Sequence, residues 1–141
     1  MASLNNFQTR ELRVVDLRMV QNPVFQGDSY SMSFKLNCKT NHFDEPGKDE
    51  KAASVECEIE LAAYVPNSED IYARIEFTGI GVFTADSSTP HEEFEKMLRI
   101  NGLATMLPIL RGIIYNVSNT LTIKAPMLIP NLNVHDVIWQ N

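Results

Sequence analysis

Along residues 30–38 apolar and polar side chains alternate without a break. Tyr30, Met32, Phe34, Leu36 and Cys38 fall on one side, and Ser31, Ser33, Lys35 and Asn37 on the other. A period of two predicts a strand with one face on a core and the other in water. The pattern returns with Val55, Cys57, Ile59 and Leu61 against Ser54, Glu56, Glu58 and Glu60, and again with Ile71, Ala73, Ile75 and Phe77 against Tyr72, Arg74, Glu76 and Thr78. A less regular strand comes first, over about 7–21. Here Arg13, Val15, Leu17 and Met19 share one face and Leu12, Val14, Asp16, Arg18 and Val20 the other, so both faces are partly apolar. Turn-like segments join the strands, Pro66-Asn67-Ser68-Glu69-Asp70 reading as a hairpin connection. Together they predict an antiparallel sheet with one wet face.

Beyond the strands the period changes. Thr89-Pro90-His91-Glu92 reads as a helix start, with Thr as cap and Pro at the first position. Phe94, Met97 and Leu98 give this piece an apolar side, and Asn101-Gly102 is expected to interrupt it. Leu103, Met106, Leu107, Leu110, Ile113, Ile114, Val117 and Leu121 then recur at steps of three and four, one continuous stripe along a long helix. Pro108 cannot donate to the Ala104 carbonyl, so a kink or a fresh helix start is expected there. Residues 122–130 hold two prolines and no helical period, and read as an extended apolar connector. Asn133, with Asp136 three residues on, resembles the cap of a short last helix. The predicted fold is α+β: a four-stranded antiparallel sheet with one long and one short C-terminal helix packed on one face, in a single domain over 1–141.

Composition narrows the function classes. A length of 141 residues with 44% hydrophobic content supports one real core. The net charge of −6 argues against nucleic-acid binding or an anionic membrane surface. No apolar run reaches the roughly 18 residues of a membrane span, and the N-terminus lacks the features of a signal peptide. Cys38 and Cys57 suggest neither a metal-ligand pair nor a secreted disulfide framework. A cytoplasmic protein is expected.

Signals for catalysis are weak. His42, His91 and His135 share no metal-ligand spacing, and none accompanies a nucleophile motif. His135-Asp136 has the look of an acid/base pair, but capping of the last helix explains it better. Gly79-Ile80-Gly81 lies inside a strand, without the strand–turn–helix context of phosphate binding, so a bulge or bend is expected. Both cysteines point inward by period and read as small buried hydrophobes. The Glu56-Glu58-Glu60 row reads first as a solvated face. Two apolar excesses resist such plain readings: Val24-Phe25 in a polar loop and Met127-Leu128-Ile129 in the connector. Loops run over the surface, so these residues cover the core, pack in an oligomer, or line a groove for an apolar ligand.

These residues, taken in order, resemble the SecB protein-export chaperones. Phe7-Gln8, Asp16-Leu17 and Pro23-Val24-Phe25-Gln26 are similar to that family's first strand and crossover loop. Glu76 and Gly81-Val82-Phe83 resemble its fourth strand, and Leu107-Pro108, Arg111, Ile114 and Val117-Ser118 its long first helix. Leu128, Pro130 and the run from Asn133 to Ile138 resemble its connecting loop and second helix. The resemblance implies an ATP-independent chaperone that holds unfolded polypeptides, a homotetramer built as a dimer of dimers, no cofactor and no catalysis. It also implies a client groove, matched by Phe25, Leu128 and Pro130, to which neighbouring Val24 and Met127 and, from strand position, Tyr30 and Phe34 are added. Oligomer contacts are expected on the helical stripe, at Leu110, Gly112, Ile113 and Val117, and on the first strand. Asp16 and Glu76 match an acidic face that docks the translocase motor SecA. Val20 stands where the family has a second acidic residue, however, and Arg74 where it has an apolar one. The chain also ends at Gln140-Asn141, without the family's polar tail. Motor binding is therefore expected to be weak or absent, as in members that protect an antitoxin. The rival readings are a structural adaptor with a closed groove and a small-ligand or enzymatic α+β domain.

Overall fold

The computed structural model describes residues 6–22, 30–43, 49–119 and 129–140. Four strands, β1 (Gln8–Gln21), β2 (Ser31–His42), β3 (Glu50–Tyr64) and β4 (Ile71–Asp86), form one antiparallel sheet in the order β1-β4-β3-β2. The first strand therefore lies beside the fourth, and β1 and β2 are the two edges. The β3–β4 hairpin closes through Val65 and Asp70, with Asn67 at φ 60°, a left-handed position that Asn tolerates.

The alternation read from β2, β3 and β4 holds. Val55, Cys57, Leu61, Ala73, Ile75 and Phe83 are almost wholly buried on the helix side. The expectation for β1 does not hold. Its pairing with β4 shifts register between Val14 and Asp16, so Val15 is an extra, bulged residue. Before the bulge Leu12 and Val14 pair with Gly81 and Gly79; after it Leu17 and Met19 pair with Phe77 and Ile75. Paired residues point the same way, so all four apolar side chains lie on the helix side. One inserted residue has reset the period.

The helical run begins one residue later than expected. Pro90 is the cap of α1 (His91–Met97) and makes no side-chain cap bond, while Thr89 is buried just outside. Asn101-Gly102 does not interrupt the run. Residues Leu98–Gly102 widen into a π turn and lead straight into α2 (Leu103–Ser118). The reason is visible in the spacing. Leu98 and Leu103 are five residues apart and both fully buried; on an α-helix that step turns about 140° away, and one π turn restores the common face. Gly102 lets this turn lie close to the sheet, where an added Cβ would sit 3.4 Å from Phe83 and 3.5 Å from Val55. At Pro108 there is no fresh start: α2 runs through it, and both Pro108 and Ala104 face solvent.

Gly79 and Gly81 mark where the helix crosses β4. A Cβ on Gly79 would meet Leu110 at 2.8 Å, and one on Gly81 would meet Phe83 at 2.7 Å and Met106 at 2.9 Å. The glycine pair is thus a site of close approach; the bulge lies opposite, on β1. His91–Ser118 is long and apolar enough to cross a membrane by length and composition, contrary to the plain reading of its sequence. Its apolar stripe is spent on the sheet, where Phe94, Leu98, Leu103, Met106, Leu110 and Ile114 are fully buried.

Candidate functional site

The last described segment, 129–140, crosses back over the domain as a strap. Ile129 is buried in the core, and Arg111 on α2 fixes its start: Nε donates to the Ile129 carbonyl at 3.0 Å and Nη2 to that of Pro130 at 3.1 Å. Asn133 caps as expected, its Oδ1 accepting from the His135 amide at 3.0 Å. What it caps is not a full helix but a single 3₁₀ turn, Val134–Asp136. His135 and Asp136 are exposed members of that turn. From Val137 the chain is extended. Trp139 bridges Cys38 in parallel, and the Gln140 amide donates to the Cys38 carbonyl at 3.0 Å. The Trp139 ring also lies 5.1 Å from the Arg99 guanidinium, a cation–π contact.

Between this strap and β2 opens a groove of about 360 Å³. Phe34 and Leu36 form its inner wall, Leu132, Val137 and Ile138 its outer wall, and Asn131, Asn133 and Asp136 its polar rim. Ile138 is 85% exposed, an extreme value for a large aliphatic side chain. The described lining is mainly apolar, a surface suited to holding apolar groups.

A polar cluster at the far end of β2 is a clamp. The Glu95 carboxylate accepts from the Thr40 hydroxyl, lies 3.1 Å from His42 Nε2 and 3.6 Å from Arg99 Nε. Burial pulls its pKa upward, but the hydrogen bonds of Thr40 and His42 and the charges of His42 and Arg99 outweigh it and hold the group below the usual glutamate range. The His91 ring lies 4.5 Å from that of His42. With its oxygens so engaged, Glu95 pins β2 to the start of the helical run. Among the described residues no cluster of three His, Cys, Asp or Glu is placed to hold a metal ion.

The sequence-derived site residues separate. Phe34 lines the groove. Tyr30 is half-buried and packs against the core, and Pro130 is exposed at the strap's start. Val24, Phe25, Met127 and Leu128 lie outside the described residues. Leu110 is fully buried within its own protomer, whereas Gly112 is exposed with nothing within 4 Å of an added Cβ; Ile113 and Val117 are half-buried. Asp16 and Glu76 share a shallow hollow on the wet face with Lys35, Glu58 and Glu60. Cations stand beside several acids of the wet face: Arg18 is 3.5 Å from Asp16, Lys39 3.0 Å from Glu56 and Arg74 3.6 Å from Glu60. Leu132, Val137 and Ile138 line the groove although a helical reading of the strap does not place them there. The run Val137-Ile138-Trp139 carried the signal, being β-branched and aromatic.

No protein-family model and no curated protein matches the chain. Among solved structures it is similar to a SecB-like chaperone of Mycobacterium tuberculosis, determined in complex with a ChAD peptide from an antitoxin. The TM-score is 0.68 at 15% identity, over 90% of this chain and 88% of that one. The fold is SecB-like. A protein of unknown function from Streptococcus agalactiae also matches, at TM-score 0.48 and 12% identity, over 90% of this chain and 98% of that one. The SecB-like architecture agrees with the sequence expectation in its four-stranded antiparallel sheet and long C-terminal helix.

Proposed function

We propose that this protein is an ATP-independent holdase that binds unfolded polypeptide segments in the groove between β2 and the C-terminal strap. The observation that carries this reading is the groove wall of Phe34, Leu36, Leu132, Val137 and Ile138, an apolar surface that stays partly open to solvent among the described residues. Covering such surface contributes roughly 25 cal/mol per Å² before costs. Ordering an unfolded segment offsets much of that. The balance suits loose, exchangeable holding of many sequences. Phe25, Val24, Met127 and Leu128 extend the groove in this proposal.

Assembly into a dimer of dimers belongs to the same reading. Its supports are the uncovered apolar side chains of the β1 edge, Val15, Leu17, Met19 and Val20, and those of the outer helix face, Ile109 and Tyr115 beside Gly112. Within this reading, the bird's-eye choice lies between a general export chaperone and one dedicated to an antitoxin. The mixed charge of the wet face favours the latter, because Arg18, Lys35, Lys39 and Arg74 among the acids weaken the field a cationic docking partner would follow. In the test, an unfolded client is diluted from denaturant and its aggregation followed by light scattering. Suppression at near-stoichiometric ratio, reduced in Phe34→Ala and Ile138→Ser at unchanged melting temperature, is the expected result. Aggregation identical with and without the protein would overturn the proposal.

A further inference from the structure

The groove borders a sheet edge, and the direction of that edge's backbone can be read. The Cys38 carbonyl accepts from Gln140, so the backbone groups of Cys38 point away from β3. Backbone direction repeats every second residue along a strand. The N–H and C=O groups of Met32, Phe34 and Leu36 therefore point outward as well, while Ser33, Lys35 and Asn37 bond to their β3 partners Ala62, Glu60 and Glu58. The 3.7 Å approach of the Cys38 and Cys57 sulfurs fits this assignment, since facing side chains are closest in pairs that exchange no backbone bonds. Among the described residues no segment pairs with the outer edge of β2 from Met32 to Leu36. The residues that offer free backbone groups are also those whose side chains reach the groove side: Phe34 and Leu36 line it, and Met32 is 40% exposed.

We propose that a client segment binds here as an added strand. Its backbone pairs with Met32, Phe34 and Leu36, and its alternate apolar side chains enter the groove. This deepens the holdase reading and rests on it. The chain's own strap defines the occupant. At Val137–Gln140 an extended segment already continues this edge beyond the groove, with Val137 and Trp139 packed inward and Ile138 turned out. The fitting partner is thus extended polypeptide with an apolar side chain at every second position and any residue between. Pairing uses groups common to all sequences, so affinity comes from the main chain and only a coarse preference from the side chains. From Met32 to Leu36 the edge runs about 13 Å, enough for a five-residue segment.

The experiment uses the full chain and a fluorescent decapeptide of alternating leucine and serine, flanked by lysines. Two twins carry N-methyl groups on every second amide, one in each phase. Such methyls remove donors from one side of the strand and leave every side chain in place. Methylation in one phase is expected to weaken binding at least tenfold, and in the other less than twofold. Equal binding of all three peptides overturns strand addition. In a second arm, Leu36→Pro is compared with Leu36→Ala. Both lose the side chain, but only Pro loses the outward N–H, and edge strands tolerate it. Tenfold weaker binding to Leu36→Pro is expected, and equal binding overturns the proposal. Should Leu36→Pro fail to fold, the methylated peptides decide alone. A concentration-dependent doubling of mass in sedimentation, lost in Leu36→Pro, would mean that a second copy holds this edge, and also overturns it. If aggregation is suppressed yet the twins bind alike, strand addition fails alone; if neither holding nor peptide binding occurs, the holdase reading has failed first.

Discussion

Three glycines give a ranked test of how the helical run sits on the sheet. At Gly81 an alanine Cβ would lie 2.7 Å from Phe83 Cε2 and 2.9 Å from Met106 Sδ. Neither neighbour has room to retreat: both are fully buried, and Phe83 is stacked on Phe7 with ring centroids 5.3 Å apart. Overpacking of this kind costs about 1–3 kcal/mol, which the lower chain entropy of unfolded alanine offsets by about 0.4–1 kcal/mol at most. At Gly79 the Cβ would meet only the Leu110 methyls, at 2.8 and 3.3 Å, so the cost should be smaller. At Gly112 nothing lies within 4 Å, and alanine in an exposed helix position is favoured over glycine by roughly 0.5–1 kcal/mol. Each kcal/mol moves the melting temperature of a domain this size by roughly 3–4 °C. Gly81→Ala should therefore melt several degrees below wild type, Gly79→Ala between the two, and Gly112→Ala about 2–4 °C above. Scanning calorimetry at dilute protein reads all three. An unchanged Gly81→Ala would refute the crossing of the helix over β4. A Gly112→Ala that gains stability when dilute and loses it when concentrated would place that glycine against another copy of the chain.

Three further outcomes follow from particular contacts. Glu95 is held below the ordinary glutamate range in the folded state, so its contribution is complete above the unfolded value of about 4.3 and fades as pH falls from there through its depressed folded value; acid unfolding should be shallower in Glu95→Gln, and superimposable acid profiles would contradict the clamp. Cys57 is buried, and its contact with Cys38 together with that burial pushes its thiol far above the usual range; the native protein should resist aromatic disulfide reagents at pH 8 and yield both thiols in guanidinium, whereas rapid native labelling would show the pair is reachable. Arg111→Ala removes two charge-assisted bonds to the strap carbonyls, each worth on the order of 1.5 kcal/mol before solvent screening; limited proteolysis after residue 119 should speed up several-fold with far-UV dichroism unchanged, and an unaltered cleavage rate would mean the strap is held elsewhere.

Much of this fold is legible from side-chain period because most strands and the helix each bury one face. β2, β3 and β4 read correctly, and so does the stripe from Leu103 to Ile114. The misreadings share a cause: a change of phase that no marker residue announces. The bulge at Val15 has no glycine or proline beside it, so a strict period of two separates Leu17 and Met19 from Leu12 and Val14, with which they share a face. The π turn was signalled, for Leu98 and Leu103 are both leucines five apart, but Asn101-Gly102 suggested a break instead. In the strap the cap at Asn133 was real, yet what followed it was decided by tertiary context. Val137-Ile138-Trp139 has strand propensity, and the outward carbonyl of Cys38 gave it a partner. The groove could not be read at all beyond Phe34, because Leu36 and Val137 meet only through the path of the strap.

The two sheet edges are left with different problems. A long apolar edge invites indiscriminate pairing unless it is covered, charged or twisted away. On β2 the strap seals the position of Cys38 and stops short of Leu36, so the edge is closed at one end and open beside the groove. On β1 no strap is present among the described residues; the bulge twists the strand, while Leu17 and Met19, each 42% exposed, extend the helix-side face past the helix that covers its centre. That surface is continuous with the core and lies at the opposite edge of the sheet from the groove. A partner copy on β1 would complete the core there without touching β2. Assembly and client holding would then depend on separate edges, and damage to Leu17 or Met19 would change the oligomer while leaving peptide affinity for the groove intact.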